Sequence, residues 1–288
     1  MKLKTSSIGL WVSVISIYIL FISFDYPPPK TIHNSPEILK NIFTAIANIK
    51  TLRYNLQCNE RINGKMHHTE SKVKLQIHPR KIYLSLKGPE ILWVQGENNE
   101  DALVNPGAFP YINLNLDPFG SLMRKGQHHT IHEMGVHYLG EIMRDAFVKV
   151  GNNIDKHFII TGEEIYDGHP CYKLSISFPD FSWEPYVVKK DETITSIARR
   201  LHVSEYMVLE KNSVASWYND IKVGQVIQVP NVYAKLTLLL IDKELFLPLS
   251  NTIFDDKGLF ETYEYRNLQV NSPISPEEFT KSYKDYHF

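Results

Sequence analysis

The sequence predicts an α+β protein in which an antiparallel sheet with covering helices is interrupted by a small βααβ module. Three observations lead there. From Leu52 onward, apolar residues recur at every second position in successive runs, and turn dipeptides such as Asn63-Gly64, Gly88-Pro89 and Asp167-Gly168 separate the runs. Two stretches, Pro36 to Ile49 and Ile131 to Val150, carry helical spacing instead. Residues 186–230 read strand, helix, helix, strand in one short span.

The length of 288 residues leaves room for one large domain and a small one. Hydrophobic content of 43% with 22% charged residues is that of a globular protein. The formal net charge is −1 and no basic run occurs, which argues against nucleic-acid binding through phosphate contacts.

At the amino end, Lys2 and Lys4 precede an apolar stretch from Ile8 to Phe24. This reads as a signal peptide or an N-terminal membrane anchor, with the remaining chain exported. Bulky Phe21, Ile22 and Phe24 crowd its exit and favour an uncleaved anchor in the inner membrane over a cleaved signal. Pro27-Pro28-Pro29 supplies a stiff spacer, so residues 1–30 stand apart from the folded part. Ser35 and Pro36 then start an amphipathic helix carrying Ile38, Leu39, Ile42, Phe43, Ile46 and Ile49.

After Leu52 the period changes to two. Leu52 to Cys58, Met66 to Ile77, Ile82 to Leu86 and Glu90 to Gln95 form a predicted meander with one wet and one dry face. Glu97 to Gly126, rich in Asn, Pro and Gly, reads as irregular. The second helix follows, with Met134, Leu139, Ile142, Met143 and Phe147 as core candidates. Strands resume at His157 to Tyr166 and Cys171 to Phe178. Beyond the module, strands are expected at Leu236 to Asp242, Glu244 to Leu249 and Leu259 to Val270, then a helical turn at Pro276.

In the module, Thr193 caps a helix holding Ile194, Ile197, Ala198 and Leu201, and Ser204 caps one holding Met207, Val208 and Leu209. Gly224 turns the chain into Gln225 to Pro230. The residues YVVKKDETITSIARRLHVS, LEKN and VGQVIQVP closely resemble a LysM module, which binds N-acetylglucosamine polymers such as peptidoglycan. The resemblance places a shallow glycan-binding groove at Asp191, Glu192, Thr193 and Ile194 and at Ile221, Lys222, Val223 and Gly224. The family's usual Gly-Asp-Thr is here Asp191-Glu192-Thr193. The bland alternative is a module that has lost sugar binding and serves only to pack.

The flanking segments, 31–185 and 231–288, resemble the LolA-like superfamily of lipoprotein and lipid carriers, and an uncharacterised branch of it in particular. The segments LLLIDKELFLPLSNTIFDDKGLFETYEYRNLQVN, EEFTKSYKDYHF, ALVNPGAFPYINLNLDPFG and GQHHTIHEMG carry the likeness. It implies a curved half-barrel sheet with helices over its concave face and an apolar cavity for a lipid or lipidated partner. The candidate lining is Val73, Leu75, Ile77, Ile82, Leu84, Leu86, Trp93 and Leu238; the same stripe would equally form a packed core. Because the module's end strands pair with each other, it can sit in a host hairpin without parting the host strands.

His128, His129, His132 and His137 cluster with Glu133. A zinc-protease motif requires histidines four apart, whereas His132 and His137 are five apart. The histidines are therefore read as polar residues of a helix start, and no metal, cofactor or catalytic set is assigned. Cys58 and Cys171 fall in separate predicted strands, and strand order decides whether they meet. The sequence thus points to a non-enzymatic protein of the bacterial periplasm or cell envelope that binds peptidoglycan and a lipid or lipoprotein. The rivals are an envelope interaction scaffold without a cavity and a metal-dependent hydrolase using the His128 to His137 cluster.

Overall fold

The computed structural model describes residues 35–109, 111–212 and 217–288. The expected signal or anchor and the proline spacer lie outside them, and among the described residues no helix is long and apolar enough to cross a membrane.

In chain order the elements are α1 (Ser35–Ala47), β1 (Thr51–Ile62), β2 (Lys65–Gln76), β3 (Lys81–Leu86), β4 (Glu90–Val94), β5 (Ala102–Asn105), β6 (Leu114–Leu116), α2 (Ser121–Arg124), α3 (His137–Val150), α4 (Ile154–His157), β7 (Phe158–Tyr166) and β8 (His169–Ser177). The chain continues through β9 (Trp183–Val187), α5 (Ile194–Leu201), α6 (Glu205–Lys211) and β10 (Val226–Pro230). It ends with β11 (Leu236–Asp242), β12 (Pro248–Asp255) and β13 (Gly258–Val270).

Eleven strands make one curved antiparallel sheet in the order β6-β5-β4-β3-β2-β1-β13-β12-β11-β8-β7. Its end strands do not pair with each other, so the sheet stays open. The long hairpin of β1 and β2 follows from Asn63-Gly64, both at positive φ. Strands β9 and β10 pair only with each other. The chain leaves and re-enters the large sheet at adjacent points, where the Phe178 N–H donates to the Lys235 carbonyl at 2.9 Å.

One face of the sheet carries the main core. Ile38, Leu39, Ile42 and Ile46 of α1 and Leu139, Met143 and Ala146 of α3 pack there against Leu52, Leu75, Ile82 and Phe158. The two helices approach closely because Gly140 lacks a side chain; a Cβ there would lie 3.1 Å from the Ile46 side chain. On the other face Tyr83, Leu92 and Val94 are covered by the carboxyl-terminal tail. Phe279 is buried in that patch, and Tyr286 stacks on Tyr83 with ring centres 3.7 Å apart. Glu278 anchors the tail by accepting from Arg53 Nη1 at 2.8 Å and pairing with Lys74 Nζ at 2.7 Å.

Several expectations are corrected. Helix α3 begins at His137 rather than near Ile131, because Gly135 sits at φ 90° and breaks the run; residues 131–133 make a single 3-10 turn. The segment Glu244 to Leu249 is mostly a turn, tied by Asp242 Oδ1 accepting from the Glu244 and Leu245 amides at 2.7 and 2.9 Å, and the strand is β12 instead. The stretch read as irregular contains β5, β6 and α2. Cys58 and Cys171 are both free and buried. Three strands separate β1 from β8, and at about 4.8 Å per strand the gap is far beyond the roughly 7 Å limit for a disulfide. Burial pushes each thiol up to about 11.

Candidate functional site

The structure brings the predicted groove loops together and divides the predicted apolar lining between core and cavity. In the βααβ unit the two groove loops are neighbours. The Gly224 N–H donates to the Val188 carbonyl at 2.9 Å, and the Ile194 N–H donates to the Tyr218 carbonyl at 2.8 Å. The eight predicted groove residues divide by role. Ile194 is fully buried in the module's core with Ile197, Ala198 and Ile227. Thr193 accepts from the Ser196 N–H at 3.1 Å as the cap of α5. Glu192 accepts from the Lys189 N–H, Tyr186 Oη and Arg200 Nη2 at 2.8, 2.8 and 2.7 Å, so its carboxylate is committed inside the module. Ile221 is half-buried against the core. The open surface is left to Asp191, Lys222, Val223 and Gly224; Val223 is 68% exposed.

Asp191 occupies a backbone position at φ 61°, where glycine is preferred. Asp191→Gly is therefore expected to stabilise the protein by up to about 1 kcal/mol, read from the midpoint of denaturant unfolding. An unchanged or lower midpoint would show that the aspartate side chain contributes more than the strain it causes.

The module is docked against the sheet. On α6, Glu205, Tyr206 and Met207 are buried at 3%, 8% and 1% exposure, and Tyr206 and Met207 pack with Ile62 of β1, Ile253 of β12 and Phe260 of β13. Glu205 Oε2 meets Arg124 Nη2 of α2 at 2.6 Å, and Oε1 meets Arg199 Nε of α5 at 2.6 Å. Thr195 Oγ1 donates to the same Glu205 Oε2 at 2.9 Å. Arg199 reaches on to Glu133 Oε1 at 2.7 Å. Tyr206 stacks on His128 with ring centres 4.5 Å apart, and its hydroxyl accepts from the Asn63 N–H at 2.9 Å.

The apolar lining expected from sequence is largely solid. Val73, Leu75, Ile77, Ile82 and Trp93 are packed into the core under the helices and do not line the cavity beside it. Leu238 points to the opposite face and is 41% exposed, while Leu239 turns inward. The run Leu238-Leu239-Leu240 has no alternation, so its parity could not be read. Leu84 and Leu86 do line that cavity, and it lies nearer the β1–β2 turn than the predicted stripe. Leu56, Leu139 and Ile142 form its apolar wall. The space open to the centre of a water molecule is about 110 Å³.

The cavity floor is polar. Glu261, fully buried, accepts from Tyr233 Oη at 2.9 Å and lies 2.6 Å from His128 Nδ1 and 3.3 Å from His129 Nε2. Tyr263 Oη donates to Glu60 and, at 3.3 Å, to Glu261. Burial disfavours charge on His129, yet Glu261 and Glu133 outweigh it and raise its basicity well above the ordinary value. Burial opposes ionisation of Glu133 too, but His129, Arg199 and the Thr130 amide outweigh it and hold the carboxyl at about 2. Burial, then Glu261, raises the hydroxyls of Tyr233 and Tyr263. Of the four clustered histidines, His129 lines the cavity, and His128, stacked between Tyr206 and Phe260, meets the floor through Glu261. His132 stacks on Phe119, and His137 Nδ1 is buried at the start of α3 with no hydrogen-bond partner among the described residues. Glu60 and Glu261 were missed because charge alone reads as solvent-facing, although the parity of Leu52, Tyr54, Leu56 and Cys58, and of Tyr263 and Tyr265, carries each onto the buried face.

A family model, Protein of unknown function (DUF1571), matches residues 49–203, more than half of the sequence. The chain belongs to the DUF1571 family. A LysM domain model matches residues 186–230, the span read from sequence. No curated protein matches the chain. Among solved structures, the Mycobacterium tuberculosis lipoprotein LppX is 12% identical, with 83% of this chain and 98% of that one covered and a TM-score of 0.41. The Pseudomonas aeruginosa MucA/MucB complex gives 11% identity, 85% and 60% coverage and a TM-score of 0.37, so this chain spans about three fifths of that relative. A LolA superfamily protein from Nitrosomonas europaea gives 10% identity, 86% and 98% coverage and a TM-score of 0.27. Likenesses this distant transfer neither a ligand nor a partner to a DUF1571 protein.

Proposed function

We propose that this DUF1571 protein is a non-enzymatic binding protein of the cell envelope. Its LysM segment holds an N-acetylglucosamine polymer such as peptidoglycan, and its sheet cavity takes a lipid or the acyl part of a lipidated partner. The LysM match over residues 186–230 carries the glycan half, supported by the adjacent exposed loops at Asp191 and at Lys222 to Gly224. A neutral sugar needs a shallow surface of backbone groups with a few apolar contacts, which those loops offer. The cavity half rests on the wall of Leu56, Leu84, Leu86, Leu139 and Ile142, where each buried CH₂ contributes about 0.8 kcal/mol.

Deleting the module would uncover the face that α6 buries, so point variants in the loop test the glycan reading better. The full chain is expected to sediment with purified peptidoglycan, and Lys222→Glu with Val223→Glu to weaken this about tenfold or more without lowering Tm, an effect of about 1.4 kcal/mol. Equal sedimentation of the variant would remove the glycan assignment from these loops. For the cavity, native mass spectrometry of the full chain should show a bound acyl lipid. A mass that stays apo after incubation with lipids would favour the scaffold reading, in which the sheet is a solid core.

A further inference from the structure

We propose that the cavity floor is a binding site for one borderline divalent metal ion, of the Zn²⁺ or Co²⁺ class, held by Glu60, His128 and Glu261. Ligand atoms of all three lie within 4.8 Å of one another, and all three residues are buried. One imidazole and two carboxylates, with a water completing the coordination, are a donor set that suits such ions.

Three features support a cation at this site. The first is the orientation of His128. Its Nε2 donates to the Arg61 backbone carbonyl at 3.0 Å, which leaves Nδ1 facing the Glu261 carboxylate 2.6 Å away. A backbone carbonyl holding the other ring nitrogen is the usual way a ligating histidine is oriented. The second is Glu60, whose buried carboxylate takes a single side-chain hydrogen bond among the described residues, from Tyr263. The third is independent of the acids. Asn251 is 3% exposed, lines the same cavity opposite Tyr263 in the β12–β13 pairing, and its Oδ1 has no hydrogen-bond partner among the described residues. An orphaned buried amide oxygen lining the same cavity as two carboxylates is an acceptor left for a cation or for a water bound to it. The nearby Cys58 thiol is hydrogen-bonded to Thr69 Oγ1 and is not counted as a ligand.

The test strips the full-length chain with a chelator, dialyses it against Zn²⁺ or Co²⁺ and measures bound metal by elemental analysis. One equivalent is expected, with a rise in Tm on loading and visible absorption bands in the Co²⁺ form typical of nitrogen and oxygen ligands. Glu60→Gln keeps the size of the side chain and an oxygen to accept from Tyr263, and should weaken binding at least about tenfold while the stripped variant melts near the stripped parent. Glu261→Gln, the second carboxylate of the set, should weaken it similarly and serves if Glu60→Gln fails to fold. His68→Ala, an exposed histidine outside the cavity, should bind as the parent does. Failure of the parent to retain metal, or unchanged binding by both cavity variants, would overturn the site.

Discussion

Glu205→Ala is expected to lower stability by about 3–5 kcal/mol, the cost of leaving a buried charge without its partner. Arg124 is 3% exposed, and Glu205 is its carboxylate partner at 2.6 Å; its remaining contacts are Thr195 Oγ1 at 2.9 Å and the Tyr218 ring. The same substitution frees Arg199 from one of its two carboxylates. Calorimetry should show Tm falling by several degrees or more. Arg124→Met combined with Glu205→Leu should recover part of the loss, because a buried pair replaced as a whole by apolar groups is often neutral. An unchanged Tm in Glu205→Ala would mean that the buried Arg124–Glu205 pair does not join α6 to α2 as described.

Phe279→Ala is expected to cost a further 3–5 kcal/mol on its own, about the range for emptying a buried aromatic site. Phe279 is 3% exposed and closes the patch of Tyr83, Leu92 and Val94 on the face opposite the helices. Denaturant unfolding gives the magnitude, and increased binding of a hydrophobic dye would report the uncovered patch. The tail also gives the protein an acid limb. The hydrogen bonds from Arg53, followed by Lys74 and the Ser275 amide, hold the Glu278 carboxyl at about 2 against burial. A carboxyl depressed in the folded state stabilises it fully above the unfolded value near 4.5, and that stabilisation is lost as pH falls toward 2. Glu278→Gln should therefore flatten the decline in Tm between about pH 4.5 and 2; an identical decline would place the acid sensitivity elsewhere.

The sheet and the βααβ unit were legible because their signals are local. Alternation in Leu52 to Cys58 and the dipeptide Asn63-Gly64 set a hairpin without help from the rest of the chain, and Thr193 and Ser204 cap their helices as read. The tail's role was not legible, since Phe279 and Tyr286 have no periodicity and gain meaning only from the strands they cover. The polar floor was missed for another reason. The parity of Leu52, Tyr54, Leu56 and Cys58 runs on to Glu60, and that of Tyr265 and Tyr263 to Glu261, so position pointed inward while charge pointed to water; position prevailed, with His128, His129 and Tyr233 meeting Glu261 inside. Arg124 and Glu205 were likewise indistinguishable from surface charges until α2 and α6 met. The predicted lipid stripe divides: Leu84 and Leu86 line the cavity, while Val73, Leu75 and Ile82 face inward into packed core, and facing inward does not distinguish a wall from a filled core.

The closeness of the chain's exit and return at Phe178 and Lys235 bears on how the protein folds. Pairing β8 with β11 requires closing an excursion of roughly 60 residues, which costs about 2 kcal/mol more in chain entropy than closing a tight turn of half a dozen residues. Strands β9 and β10 pair with each other and the unit has its own core of Ile194, Ile197, Val208 and Ile227, so it can form by contacts internal to residues 183–230. Once it has formed, its two ends are held together and the long excursion behaves as a short one. Order of formation then matters: the small unit first, the β8–β11 junction next, and the docking of α6 last.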